Sequence, residues 1–147
     1  LALRWETLAH AVRSWAVEHQ HQWALLYGSP VPDYQAPAEQ TSTVGVRVAF
    51  RLAEIGADAL ARHQNGPPIP ASDIGIERAR RATSSLGDDP QLAAVGLPPV
   101  VLANGMTVWM MLIGAISTEV FQGLGPDIDH EALFEYTVGV GRQILFG

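Results

Sequence analysis

Cysteine is absent from the 147 residues. Disulfides, thiolate catalysis and cysteine-based zinc sites are therefore excluded. Lysine is absent as well, so all nine basic residues are arginine, and 15 acidic residues leave a net charge of −6. That sign argues against direct binding to a phosphate backbone, which rests on surplus Lys and Arg. The one cationic cluster, Arg78, Arg80 and Arg81, lies among Asp73, Glu77 and Asp88 and reads as a solvated helix face. There is no Gly-x-Ser-x-Gly elbow, phosphate-binding loop, dinucleotide fingerprint or His-Glu-x-x-His. Without Lys and Cys the common nucleophiles reduce to Ser and Thr, and neither stands beside an evident base. The histidines His10, His19, His21, His63 and His130 include no pair at the i, i+4 spacing of a helical metal site. No catalysis, cofactor or metal is expected. Long apolar runs are scarce too. The longest, Val108 to Ile116, is less than half of the roughly 20 residues a membrane-spanning helix needs. No secretory signal is visible, because Arg4, Glu6 and Arg13 interrupt the first 17 residues. A cytoplasmic protein without a membrane partner is expected.

What is present is helical periodicity. A hydrophobic content of 48% with 16% charge suits a packed globular chain, and its length suits one domain. Trp5, Leu8, Ala9, Val12, Trp15, Ala16 and His19 follow the i, i+3, i+4, i+7 rule and predict a helix from Ala2 to about Glu18, with Arg4, Glu6, Arg13 and Glu18 outside. A short helix or bent continuation follows from Gln20 to Tyr27, closed by Gly28 in the left-handed conformation. The Pro-rich segment around Tyr34 is a loop. A third helix starts near Pro37 or Thr41 and runs to about Arg62. It buries Val44, Val48, Leu52, Ile55 and Ala59, while Gly45, Ala49 and Gly56 leave a narrow strip for close helix approach or for a ligand. After a second Pro/Gly connector, Ser72 caps a helix from Asp73 to Leu86, and Pro90 to Val95 adds a further turn.

The chain is organised around Leu97 to Gly125. Pro98 and Pro99 suit a first turn, and Gly125 with Pro126 reads as a stop. Apolar residues cover most of its circumference, so it must be covered on several sides. The last helix begins at the N-cap Asp129. It forms a hairpin with the long helix, and two such hairpins would make a four-helix bundle between subunits. No strand pattern or internal repeat appears. The expected fold is all-α with six or seven helices. The chain opens on Leu in mid-helix pattern, which reads as a fragment lacking its N-terminal part.

Two stretches, Trp15 to Tyr34 (WAVEHQHQWALLYGSPVPDY) and Trp109 to Leu124 (WMMLIGAISTEVFQGL), resemble the C-terminal ligand-binding and dimerisation domain of TetR-family transcriptional repressors. The second is similar to a Trp-x-x-x-His-Gly signature followed by Glu and Phe, here Glu119 and Phe121. Ile113 stands where that signature has histidine. The resemblance implies a three-helix, helix-turn-helix DNA-binding domain ahead of this region. It also implies a pocket between the first three helices and the long one, and a dimer built from the last two helices.

The candidate ligand-binding residues are Trp15, Trp23, Tyr27, Phe50, Asn104, Met106, Trp109, Met110 and Ile113. Each taken alone reads as simple core. What shifts the set is the presence of Asn104, Thr107 and Glu119 on the same helix, because an apolar cavity with a few polar groups is the usual small-molecule site. Glu119 is either buried against a partner such as Arg51 or Arg142, or exposed near the helix end. The candidate dimer-interface residues are Ile116, Val120, Leu124, Phe134, Val138, Gly141 and Leu145. The expected function is the effector-sensing, dimerising half of a TetR-like repressor. A small molecule, expected to be apolar because Ile113 makes the pocket roof more apolar, would release the full-length homodimer from DNA. The rival is a purely structural all-α homodimerisation module with a filled core.

Overall fold

The structure, a computed structural model, describes residues 1–28, 47–62, 73–88 and 90–147. The predicted loop at Tyr34, the start of the third helix, His63, the second Pro/Gly connector and the Ser72 cap lie outside these residues. Among the described residues there are seven α-helices, one 3₁₀ turn and no strand, as the periodicity predicts.

Helix α1 spans Ala2–Glu18 and α2 spans Gln20–Tyr27, matching the apolar spacing. Gly28 closes α2 in an extended conformation (φ −79°), not the predicted left-handed one. Its glycine identity has a different cause: a Cβ there would lie 2.3 Å from the Ala24 carbonyl oxygen. Helix α3 (Arg47–Arg62) buries Leu52, Ile55 and Ala59. Helix α4 (Asp73–Ala82) is shorter than predicted and gives way to a 3₁₀ turn at Ser84–Asp88. Hydroxyl competition marks the break. Thr83 Oγ1 donates to the Ala79 carbonyl at 2.9 Å and Ser84 Oγ to that of Arg81 at 3.1 Å. Helix α5 covers Pro90–Val95.

Helix α6 spans Pro99–Val120, with Pro98 as its N-cap. It stops five residues before the predicted end at Gly125. Gln122 takes a left-handed φ of 55°, its N–H donates to the Glu119 carbonyl at 3.2 Å, and the Gly123 N–H donates to that of Thr118 at 2.9 Å. These two bonds satisfy carbonyls that a helix end otherwise leaves unpaired. Helix α7 (His130–Phe146) starts where predicted, with the Asp129 side chain accepting from the Ala132 N–H at 2.9 Å.

Helix α6 packs against α1, α2, α3, α4 and α7, and most extensively against α7. Its Val108, Leu112 and Ile116 join Trp5, Trp23 and Phe134 as the largest fully buried side chains. Each such burial contributes roughly 1.5–3 kcal/mol. By length and composition α6 could cross a membrane, contrary to the expectation from its short apolar run. It packs against five other helices, buries Val101, Val108, Leu112 and Ile116 among them, and leaves 22% of its apolar window buried within the chain.

Candidate functional site

Where α3 crosses the first half of α6, small residues hold the two helices close and open a cavity of about 260 Å³. From α3 it is lined by Leu52, Ala53 and Gly56. The 3₁₀ turn supplies Leu86, and Leu97 lies just before α6. Helix α6 contributes Val101, Leu102, Gly105, Met106 and Trp109, and α7 contributes Leu145. A Cβ at Gly56 would come within 3.3 Å of Val101 Cγ1, so this glycine sets the close approach of α3. A Cβ at Gly105 would meet nothing within 4 Å. Among the described residues the wall is almost wholly apolar, and none of these side chains is ionisable.

Two of the nine predicted ligand residues, Met106 and Trp109, line this cavity. The other seven lie elsewhere. Trp23 is fully buried in the α1–α2–α6 core, its indole N–H donating to Ser117 Oγ at 3.1 Å. Trp15 is partly exposed and stacks on His19 at 5.2 Å. Tyr27 sits 4.4 Å from Trp23, centroid to centroid, and burial raises its pKa. Phe50 borders a separate shallow hollow with Leu8 and Arg51. Asn104 is half-buried off the cavity wall, Met110 is 62% exposed, and Ile113 packs against the main core. The cavity therefore lies between α3, α6 and α7: of the first three helices expected to face the long one across it, α3 lines it and α1 and α2 do not. Ile113 is not its roof.

The polar groups expected at the site are engaged elsewhere. Thr107 Oγ1 donates to the Ala103 carbonyl. Glu119 accepts two bonds from Arg13, Nε to Oε2 and Nη2 to Oε1, both at 2.8 Å. Its partner is thus neither Arg51, which pairs with Glu54, nor Arg142, which approaches Glu6. Arg13, predicted to lie outside, is largely covered, with its guanidinium 4.9 Å from the Phe134 ring centroid. The hydrogen bond to Glu119 raises the Arg13 pKa. This fork fastens α1 to the junction of α6 and α7. At the other end of α1, Trp5 is inserted between α6 and α7. Its Nε1 donates to the Val138 carbonyl at 2.9 Å, and a Cβ on Gly141 would fall 2.7 Å from its Cζ2.

Most of the predicted dimer residues turn inward. Ile116, Phe134, Val138, Gly141 and Leu145 are buried inside their own chain, and Leu145 is part of the cavity wall. Val120 is half-buried against the core. Leu124 is exposed. The face that α6 and α7 turn outward instead carries Met110, Phe121 and Tyr136, the last 72% exposed. It also carries Gly114 and Gly139, where a Cβ would meet nothing within 4 Å.

The described residues thus form an all-helical bundle around a long apolar helix, with an apolar cavity beside it. Residues 5–140 match the sequence model of the tetracyclin repressor-like C-terminal domain, and the chain belongs to that family. It is similar to the HTH-type transcriptional regulator Rv1816 of Mycobacterium tuberculosis (strain ATCC 25618 / H37Rv), 36% identical over 126 residues. The HTH-type transcriptional regulator Mb1846 of Mycobacterium bovis matches to the same extent. In each case the match covers 82% of this chain and 49% of the relative, so the chain spans about half the length of the curated relatives it matches. These are transcriptional regulators, a non-enzymatic family.

Proposed function

We propose that this chain is the effector-sensing, dimerising half of a TetR-like transcriptional repressor. A small apolar molecule bound between α3, α6 and α7 releases the full-length cytoplasmic protein from DNA, which it contacts through a helix-turn-helix domain outside these 147 residues. The observation that carries this reading is the cavity of about 260 Å³. It approaches the 300–1,000 Å³ range typical of ligand sites, and it is more enclosed and more apolar than the shallow hollows beside Phe50 and Leu3. Transmission to α1 would run through Trp5 and through the Arg13–Glu119 fork, because these grip α6 and α7, two of the cavity's walls. A ligand can drive that shift only by binding the two packings unequally.

The test is a thermal-shift screen with compounds spanning charged, polar and apolar classes. At least one saturable stabiliser is expected, and its effect should vanish in Gly105→Leu, which fills the cavity. A screen without any such compound would favour the purely structural module.

The second copy of the proposed homodimer docks on the outward face of α6 and α7. Mid-helix Gly114 and Gly139 each cost about 1 kcal/mol relative to Ala, and among the described residues nothing lies within 4 Å of a Cβ at either position. A closely approaching partner helix supplies the reason, and Met110, Phe121 and Tyr136 beside them supply the apolar area. Gly114→Leu and Gly139→Leu are expected to yield folded monomers in sedimentation. A wild-type protein that is monomeric at micromolar concentration would remove this part of the reading, since obligate interfaces bury about 2,000 Å² or more.

A further inference from the structure

The cavity's chemistry limits what can occupy it more narrowly than "apolar". We infer that it takes an uncharged, rigid, ring-based molecule about the size of two fused six-membered rings, and that it rejects an anion of the same shape. This rests on the reading of the cavity as the effector site.

The size limit follows from volume. A cavity of about 150 Å³ lined by aliphatic and aromatic side chains stays dry and holds one benzene. The present cavity, at about 260 Å³, has room for a second fused ring and not for four. Gly56 and Ala53 bring α3 in close, and Gly105 leaves the opposite surface bare. Preference for a flat ring follows from Trp109 and Met106. Aromatic faces and thioether sulfur both make favourable contacts with aromatic rings.

The charge limit follows from the donor inventory. Among the described residues, the side chains around the cavity offer one conventional donor, the Trp109 indole N–H, and one weak acceptor, the Met106 sulfur. Glu119 and Thr107, on the same helix, are committed to Arg13 and to the Ala103 carbonyl. A carboxylate seated against these described side chains would find a single N–H there, and burying a charge with so little compensation is strongly unfavourable.

The experiment titrates this chain with naphthalene, 2-naphthoate and pyrene. The readouts are the melting temperature and the indole N–H resonance of Trp109, assigned by its loss in Trp109→Phe. Naphthalene is expected to bind about 100-fold or more tightly than 2-naphthoate, with pyrene excluded. Gly105→Leu is expected to abolish naphthalene binding with the fold retained, since its Cβ meets nothing. Leu102→Ala, which enlarges the same space, is expected to admit pyrene, and it keeps the size limit testable if Gly105→Leu does not fold. Binding of 2-naphthoate as tightly as naphthalene would overturn the charge limit while leaving the cavity as a binding site. Saturable binding of pyrene to the wild type would overturn the size limit in the same way. If naphthalene fails to bind while another compound binds in a Gly105→Leu-sensitive manner, the ring-based class falls and the effector site stands. If no compound of any class binds, the effector-site reading itself falls.

Discussion

Trp5 is the side chain whose surroundings are most tightly specified. Its ring fills the space that a side chain at position 141 would need, and its N–H ends on the Val138 carbonyl. Gly141→Ala gains about 1 kcal/mol in helix propensity but forces this ring to shift, and overpacking costs typically 1–3 kcal/mol. A net loss of stability is expected in urea denaturation. Gly139→Ala, where a Cβ meets nothing, should not show that loss. His130 presents the opposite case. Both of its ring nitrogens are buried without a hydrogen-bond partner, and an unsatisfied buried group costs about 1–3 kcal/mol. His130→Leu is therefore expected to raise the urea midpoint, and a lowered midpoint would mean that the ring is satisfied in solution. Tyr27 sets an alkaline limit. Burial raises its pKa above the ordinary value of about 10, so its neutral form is favoured by folding. Its contribution is complete below that pH and declines as pH rises through the raised value. Tyr27→Phe should flatten the stability profile in that alkaline window. The raised pKa of Arg13 has the same sign but acts further into alkali, so the Arg13 side of the fork stays charged throughout the physiological range. At this scale the sequence was partly informative. Periodicity places Met106 and Trp109 on a covered face, but it does not say which helix covers it. The aromatic residues Trp15, Trp23 and Tyr27 therefore looked like pocket candidates, although they pack among themselves and on Ser117. Leu145 and Leu52 are distant in sequence, and no local pattern announces that they meet across one cavity.

At the scale of elements, helix existence and type were readable and helix ends were less so. The Asp129 cap was visible because its chemistry is local, and Asp129→Ala is expected to cost about 1 kcal/mol. The end of α6 was misplaced because the residue in the left-handed position is Gln122, with a glycine one residue later. Left-handed backbone costs a non-glycine residue roughly 1–2 kcal/mol. Gln122→Gly is expected to raise stability by about 1 kcal/mol without altering the spectrum of the folded protein. A loss of stability would show that the Gln122 side chain contributes more than the strain it imposes. The hairpin of α6 and α7 was also legible, because the short connection from Phe121 to Asp129 leaves few alternatives to antiparallel packing. Which face of it turns outward was not. Helical periodicity defines an apolar stripe, and α6 and α7 are apolar on more than one side, so the residues expected at a partner, such as Phe134 and Val138, could equally serve the core, where the structure places them.

The whole molecule combines two surfaces on one helix. The inner side of α6 forms the core and one wall of the cavity, and its outer side carries the face proposed for a second copy. Helix α1 is fixed to both α6 and α7 through Trp5 and Arg13, with Glu6 and His10 also facing α7. Under the proposed function, a change in the α6–α7 wedge would be carried to whatever precedes α1. By thermodynamic reciprocity, an effector that weakens DNA binding must itself bind more weakly when the protein is on DNA. The most direct measurement is therefore the affinity of the full-length regulator for its effector, determined free and on saturating operator DNA. Weaker binding in the DNA complex, by the same factor with which the effector weakens DNA affinity, is expected. Equal affinity in the two states would contradict an effector-sensing role for this domain.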